Sequence, residues 1–164
     1  MHIVAVTEHN LSVYLNLAQA YEAEFSLIMQ KPPQANGAFA LDTELGDRVT
    51  GYLLYVDGIP AGLAAVSETS PRQFNLCEFY VVPYFRGNKT GYGFATELFS
   101  TLGGVWQIKQ VAGAEYASQF WRKVLNQYTH GHFDEDTFSD PKWGVVTRQQ
   151  FSHPAMNKAS AVLA

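Results

Sequence analysis

The residues best suited to chemistry lie between positions 81 and 99, Val-Val-Pro-Tyr-Phe-Arg-Gly-Asn-Lys-Thr-Gly-Tyr-Gly-Phe-Ala-Thr-Glu-Leu-Phe. They read as a strand stopped by Pro83, a basic glycine-rich turn, and an amphipathic helix. Where a turn hands over to a helix, unpaired backbone N–H groups and the positive end of the helix dipole converge on one point. An anion such as a phosphate can sit there without a side-chain partner. Gly87, Gly91 and Gly93 permit positive φ and close backbone approach. Arg86 and Lys89 add full charges, and Asn88 and Thr90 complete the turn.

Other elements must hold this turn in place. Residues 2–6 alternate as a strand, and Asn10 or Ser12 can cap a helix whose inward stripe is Leu11, Tyr14, Leu15, Ala18, Tyr21 and Phe25. Pro32, Pro33 and Gly37 mark a surface loop over 31–37, near a substrate entrance. Segments 50–56 and 60–67 flank Asp57-Gly58, a strong hairpin signal. Segment 74–82 has the aromatic and β-branched content of a central strand, ended by Pro83, which has no N–H to donate. Alternation along it puts Glu78 and Tyr80 on one face and Cys77 and Phe79 on the other. A helix over 91–102 stops at Gly103-Gly104. A strand over 105–111, a helix over 116–125 presenting Phe120, Trp121 and Val124 inward, and a hairpin of 132–138 and 144–151 through Asp140-Pro141 follow.

Composition bounds the function. At 164 residues, 47% hydrophobic and 16% charged, the chain suits one folded domain rather than disorder. No apolar run approaches the roughly 20 residues of a membrane span, and the N-terminus lacks the features of a signal peptide. A cytoplasmic protein without membrane partners is expected. The net charge of −4 argues against a nucleic-acid partner. Cys77, the single cysteine, reads as a buried strand thiol.

The element order, and above all residues 77–123, resembles the GNAT superfamily of acyl-CoA-dependent N-acyltransferases. Glu-Phe-Tyr-Val-Val-Pro-Tyr-Phe-Arg-Gly (78–87), Glu-Leu-Phe (97–99), Trp-Gln-Ile-Lys-Gln (106–110) and Ala-Ser-Gln-Phe-Trp-Arg-Lys (117–123) look like one bacterial subgroup. A Trp-x-Val-x-Gln strand and a Phe-Trp-Arg-Lys helix recur in it. The resemblance implies an α/β (α+β) fold with a mixed, mostly antiparallel sheet flanked by helices, in the order β-α-β-β-β-α-β-α-β-β. It spans a single domain over 1–152, with 153–164 as a flexible tail. It implies acetyl-CoA as acyl donor, no metal, a small-molecule or peptide amine as acceptor, and a monomer or homodimer.

The superfamily hallmark, Arg or Gln-x-x-Gly-x-Gly or Ala, fits in two registers. In one, Arg86 fills the first position, Gly91 the last, and Lys89 stands where the first glycine is expected. In the other, Asn88 leads and Gly91 and Gly93 both match, with a loop two residues longer. The first keeps Pro83, Arg86, Gly91, Glu97 and Trp106 at family spacing without a gap, and is favoured.

Acetyl transfer needs a neutral amine, a polarised carbonyl and a protonated leaving thiolate. The resemblance lays the coenzyme's pantetheine arm between the strand ending at Pro83 and the strand 106–110. It sets backbone groups of Val81 and Val82 against the arm as oxyanion donors, with Phe120 and Trp121 on the coenzyme's side. Glu78 is the acid-base candidate, since a buried carboxylate with a raised pKa can take a proton from an amine. Its alternative is an ion pair with an arginine such as Arg72. Tyr80 is expected in the same cleft. The family's Phe-Tyr pair, whose tyrosine protonates the thiolate, is Phe120-Trp121 here, and indole gives up no proton at useful pH. Either Tyr116, Tyr128 or water substitutes as general acid, or the thiolate leaves unassisted and is protonated afterwards. Ala114 stands where an asparagine often contacts pantetheine. Lys89, Ala114 and Trp121 motivate the rival reading, a coenzyme-binding module that has lost turnover.

Blander readings win elsewhere. His130, His132, Asp134 and Asp136 have metal-like spacing, but the glycine between them favours a solvated loop. Gly87-Asn-Lys-Thr-Gly91 does not meet the P-loop order. Trp106, Phe120, Trp121 and Trp143 read as core rather than a base-stacking platform, and Arg122-Lys123, Glu22 and Glu24 as solvated helix faces.

Overall fold

Asp57 (φ 51°) and Gly58 (φ 78°) both take the left-handed backbone that a tight hairpin turn demands. They join β2 (Val49–Val56) to β3 (Ile59–Ser70). β1 (His2–Ala5) and β4 (Gln73–Val81) add antiparallel to either side of this hairpin. Beyond β4 come β5 (Val105–Val111), β7 (Gly144–Ser152) and β6 (Asp134–Asp140), giving a seven-stranded sheet in the order β1-β2-β3-β4-β5-β7-β6. The computed structural model describes residues 1–153. With α1 (Leu11–Phe25), α2 (Thr90–Leu102) and α3 (Glu115–Tyr128), the expected element order is met throughout. Among the described residues the only parallel pairing is β4 with β5.

The two sheet faces carry separate cores. Phe94, Leu98 and Phe99 of α2 and Trp121, Val124 and Leu125 of α3 pack with Trp106, Ile108 and Leu54 on one face. Tyr14 and Ala18 of α1 pack with Leu53, Leu63 and Tyr80 on the other. The α1 stripe differs from expectation: Leu11 and Leu15 are exposed, and Glu22, expected on a solvated face, is only 1% exposed. Lys31 pairs with the Glu22 carboxylate, which also accepts the Asp42 N–H at 2.8 Å. Gln19 exchanges two hydrogen bonds with the backbone of Phe39. These buried contacts strap the segment after Pro33 onto α1.

Two features of β4 shape everything downstream. First, its pairing with β5 runs only from Gln73↔Val105 to Leu76↔Ile108, after which the strands part. Secondly, Ala65 pairs with Glu78 and Val66 with Leu76, so Cys77 is an extra, bulged residue. Before the bulge, Phe74 and Leu76 point into the α2/α3 core; after it, Phe79 and Val81 do. Glu78 and Tyr80 thus share a face as expected, but it is the α1 face, which uninterrupted alternation from Leu76 would have denied them. Cys77 is exposed, not buried, because a bulged residue has no slot in the pleat.

His153, expected at the start of the tail, donates its N–H to Gly104 O at 2.8 Å and sets Nδ1 2.6 Å from Tyr128 Oη. The rest of the expected tail lies outside the described residues.

Candidate functional site

The turn after Pro83 holds three consecutive residues at positive φ: Gly87 (85°), Asn88 (44°) and Lys89 (60°). Lys89 is the residue before α2, in left-handed conformation. That is the backbone a glycine adopts most cheaply. A Cβ at Gly91 would stand 3.1 Å from the Phe120 ring, so the bare glycine lets α2 lie against α3 without displacing that ring. Thr90 N–H bonds back to Gly87 O and Gly93 N–H to Lys89 O. No described residue accepts from the N–H groups of Asn88, Lys89, Gly91 or Tyr92. The first turn of α2 carries no acidic residue and no side-chain cap, so its dipole is unanswered.

Arg86 does not face this turn. Its Nε donates to Val81 O at 2.8 Å, its outer nitrogen to the Glu24 carboxylate at 2.7 Å, and its guanidinium lies 5.5 Å from the centre of the Tyr80 ring. The acidic C-terminal end of α1 captures the charge expected at the anion.

Antiparallel geometry settles which β4 backbone groups are free. Val82 N–H donates to Ala61 O at 2.8 Å, and Val82 O accepts from Phe85 N–H at 2.9 Å. Val82 is therefore occupied and is not a donor to a ligand, contrary to expectation. With Ala61 and Val82 as a hydrogen-bonded pair, Gly62↔Val81 and Ala64↔Phe79 are the alternate, non-bonded pairs. The N–H and C=O of Phe79 and Val81 hence point toward the gap where β5 has departed, and of these only Val81 O is taken, by Arg86 Nε. Gly62 lets β3 lie close: a Cβ there would be 2.4 Å from Tyr80 O. Phe79 was missed in the sequence because its availability depends on hydrogen-bond phase, not side-chain type.

Two cavities adjoin this gap, sharing Phe25, Phe79, Ala117 and Trp121 as walls. The smaller, about 280 Å³, brings together the expected residues Tyr80, Val81, Arg86, Gly87, Gly91, Tyr116, Phe120 and Trp121. Asn88, Lys89 and Thr90 form the adjoining turn without lining it. Phe79, Phe120 and Trp121 form one aromatic wall, with Phe79 and Trp121 edge to face at 4.9 Å. The larger, about 400 Å³, is lined by Glu78 and Cys77 of β4, Tyr21 and Phe25 of α1, Asp42 and Thr43 of the strap, Lys109 and Gln110 of β5, and Trp143. Trp143, expected in the core, is half-buried at this cavity with Lys142 over its ring at 4.2 Å.

Glu78 is 4% exposed, and its Oε1 has no hydrogen-bond partner. Arg72 is not its partner; the exposed backbone N–H of that residue bonds Glu68. Burial pushes the Glu78 carboxyl up to about 7, with the Glu22 and Asp42 charges adding and Thr43 opposing. Such a group is partly ionised at neutral pH and has a vacant oxygen beside a cavity, which suits proton exchange. Tyr14, on the same face, has an unpartnered buried hydroxyl, pushed up mainly by burial with the Glu78 charge adding.

Of the tyrosines considered as proton donors, Tyr128 bonds Ser100 and His153 and lines neither cavity. Tyr116 is half-exposed at the mouth of the smaller cavity. Burial and the Glu24 charge raise it, opposed by Arg86, so its hydroxyl keeps its proton at neutral pH. Tyr80 is also raised by burial and Glu24. Among the described residues no cluster of histidine, cysteine, aspartate or glutamate could hold a metal ion, and no helix is long and apolar enough to cross a membrane. His132 uses Nδ1 on Thr129 O at 2.9 Å.

Neither the family models nor the curated proteins contain a match to this chain. Solved structures do. The ribosomal-protein-S18-alanine N-acetyltransferase from Escherichia coli superposes with a TM-score of 0.63 at 13% identity, over 96% of this chain and 97% of that one. An acetyltransferase of the GNAT family from Bacteroides thetaiotaomicron gives 0.64 at 11%, over 96% and 90%. The spermidine N-acetyltransferase from Vibrio cholerae, in complex with CoA and spermine, gives 0.62 at 10%, over 93% and 95%. The chain has the fold of the GNAT N-acetyltransferases.

Proposed function

We propose that the protein is an N-acetyltransferase that moves an acetyl group from acetyl-CoA to a primary amine of a small molecule or peptide. One observation carries this reading. From the unpaired N–H groups at the start of α2, the outward Val81 N–H and the N–H and C=O of Phe79 lead along the β4/β5 gap to the Glu78 carboxylate, whose Oε1 has no partner. The diphosphate of the donor is held by the α2 turn, with Lys89 supplying charge. Its arm runs along the β4 edge against Phe120 and Trp121. The similar structures that contain CoA support the choice of donor.

Glu78, directly or through water, takes a proton from the amine, whose free pKa is about 10. The amine nitrogen attacks the thioester carbon, and the Val81 N–H donates to the oxygen as negative charge develops on it, a contribution of about 3 kcal/mol when preorganised. The C–S bond then breaks, Tyr116 gives its proton to the leaving thiolate, and the nitrogen, cationic since its attack, gives its second proton back to Tyr116 through water. The acceptor enters by the larger cavity, whose walls include Glu78, Tyr21, Asp42 and Trp143.

The test is a thermal shift with acetyl-CoA beside thiol release across a panel of polyamines, amino acids and peptides. Stabilisation together with amine-dependent thiol release is expected. Stabilisation without thiol release on any amine favours the coenzyme-binding module, and absence of both rejects the reading.

A further inference from the structure

β5 presents Trp106, Ile108 and Gln110 in alternation on the α2/α3 face, where the first two join the core. Gln110 is out of character there. It is 5% exposed, yet neither its Nε2 nor its Oε1 has a hydrogen-bond partner. A buried carboxamide left this way is costly, and an apolar side chain of the same length would serve packing better. Gln149 of β7 also has an unpartnered oxygen, but it stands opposite Ile108, donates its Nε2 to Glu135, and lines neither cavity. Gln110 lies two residues beyond the last β4 partner, in the parted section, and lines the larger cavity with Phe79 and Trp121.

We propose that Gln110 is a binding residue for the amide-bearing arm of the acyl donor, pairing its donor and acceptor with an amide N–H and C=O of a ligand laid in the β4/β5 gap. This rests on the coenzyme reading above. The arm of coenzyme A carries two secondary amides, each with one donor and one acceptor, the complement of a carboxamide. The Val81 and Phe79 backbone edge holds the arm from the β4 side, and Gln110 holds it from the β5 side. The helix start at Ala114 offers no side-chain amide of its own. Gln110 thus trades stability of the empty protein for affinity when the gap is filled.

Calorimetry with two ligands tests this: acetyl-CoA, and adenosine 3′,5′-bisphosphate, which keeps the nucleotide end and lacks the arm. Gln110→Met is expected to weaken acetyl-CoA roughly tenfold, as two lost hydrogen bonds would. The bisphosphate should bind unchanged, and the ligand-free Tm should rise. Gln110→Asn, which keeps an amide on a shorter stem, should fall between wild type and Gln110→Met. Equal acetyl-CoA affinity in wild type and Gln110→Met overturns the inference while leaving the coenzyme reading intact. Equal weakening of both ligands overturns it as general damage. A wild-type protein that binds neither ligand overturns both.

Discussion

Glu78→Gln should make the protein more stable and far less active. The carboxyl titrates near 7 in the folded protein against an ordinary value of 4.5. Below about 4.5 it is protonated in both folded and unfolded chains and costs nothing. Between 4.5 and about 7 the unfolded chain loses its proton first, so stability falls as pH rises; above 7 the penalty is complete. The gap of about 2.5 pH units, at 1.36 kcal/mol each, sets that penalty at up to about 3 kcal/mol. A glutamine of the same shape removes it, and for a chain of this size the Tm at pH 8 should rise by about 6–10 °C. At pH 4 the two proteins should melt together. In thiol-release assays kcat/KM should fall by about 10²–10³, and the rise in wild-type rate with an apparent pKa near 7 should vanish from the variant. Loss of less than about threefold in rate, or a lower Tm than wild type at pH 8, refutes Glu78 as the strained base.

Lys89→Gly should relieve the left-handed backbone before α2 by about 1 kcal/mol, raising Tm by about 3 °C. It should also weaken acetyl-CoA about fivefold and flatten the salt dependence of binding, because one charge is lost; tighter binding would remove Lys89 from the phosphate site. Gly62→Ala puts a Cβ 2.4 Å from Tyr80 O, and should cost about 2–3 kcal/mol by overpacking, read as a lower midpoint in urea melts. Glu24→Gln frees Arg86 from an exposed ion pair worth at most about 1 kcal/mol, and should tighten acetyl-CoA binding about threefold by calorimetry. Weaker binding would show instead that the Glu24–Arg86 contact holds the site in its working form.

The order of elements was legible because it is written in local chemistry: Asp57-Gly58 needs only its own backbone, Pro83 ends a ladder wherever it stands, and Gly103 closes a helix. The turn before α2 was legible for the same reason, since the positive φ of Gly87 belongs to the turn itself. Glu22 was not. A carboxylate on a helix reads as solvated until Lys31, nine residues on, folds back to meet it. Arg86 likewise looked like a phosphate ligand because Glu24, its partner, is 62 positions away.

The failures in β4 have a different origin, and they decide where the chemistry sits. Side-chain faces and backbone hydrogen bonds both alternate with period two, so one inserted residue changes both at once. The bulge at Cys77 is that residue, placed just past the last β4–β5 pair. Were Cys77 an ordinary paired residue rather than a bulge, Glu78 would continue the row of Phe74 and Leu76 into the α2/α3 core. With it, Glu78 meets the larger cavity on the α1 side, while Phe79 joins the aromatic wall and Val81 offers its N–H to the gap. Deleting Cys77 would make Leu76 and Glu78 neighbours, as their partners Val66 and Ala65 already are, and so leave Glu78 on the α1 face. The deletion and Cys77→Ser should therefore both keep thiol-release activity, and loss in the deletion alone would show that the local bend of the bulge itself is what parts β4 from β5.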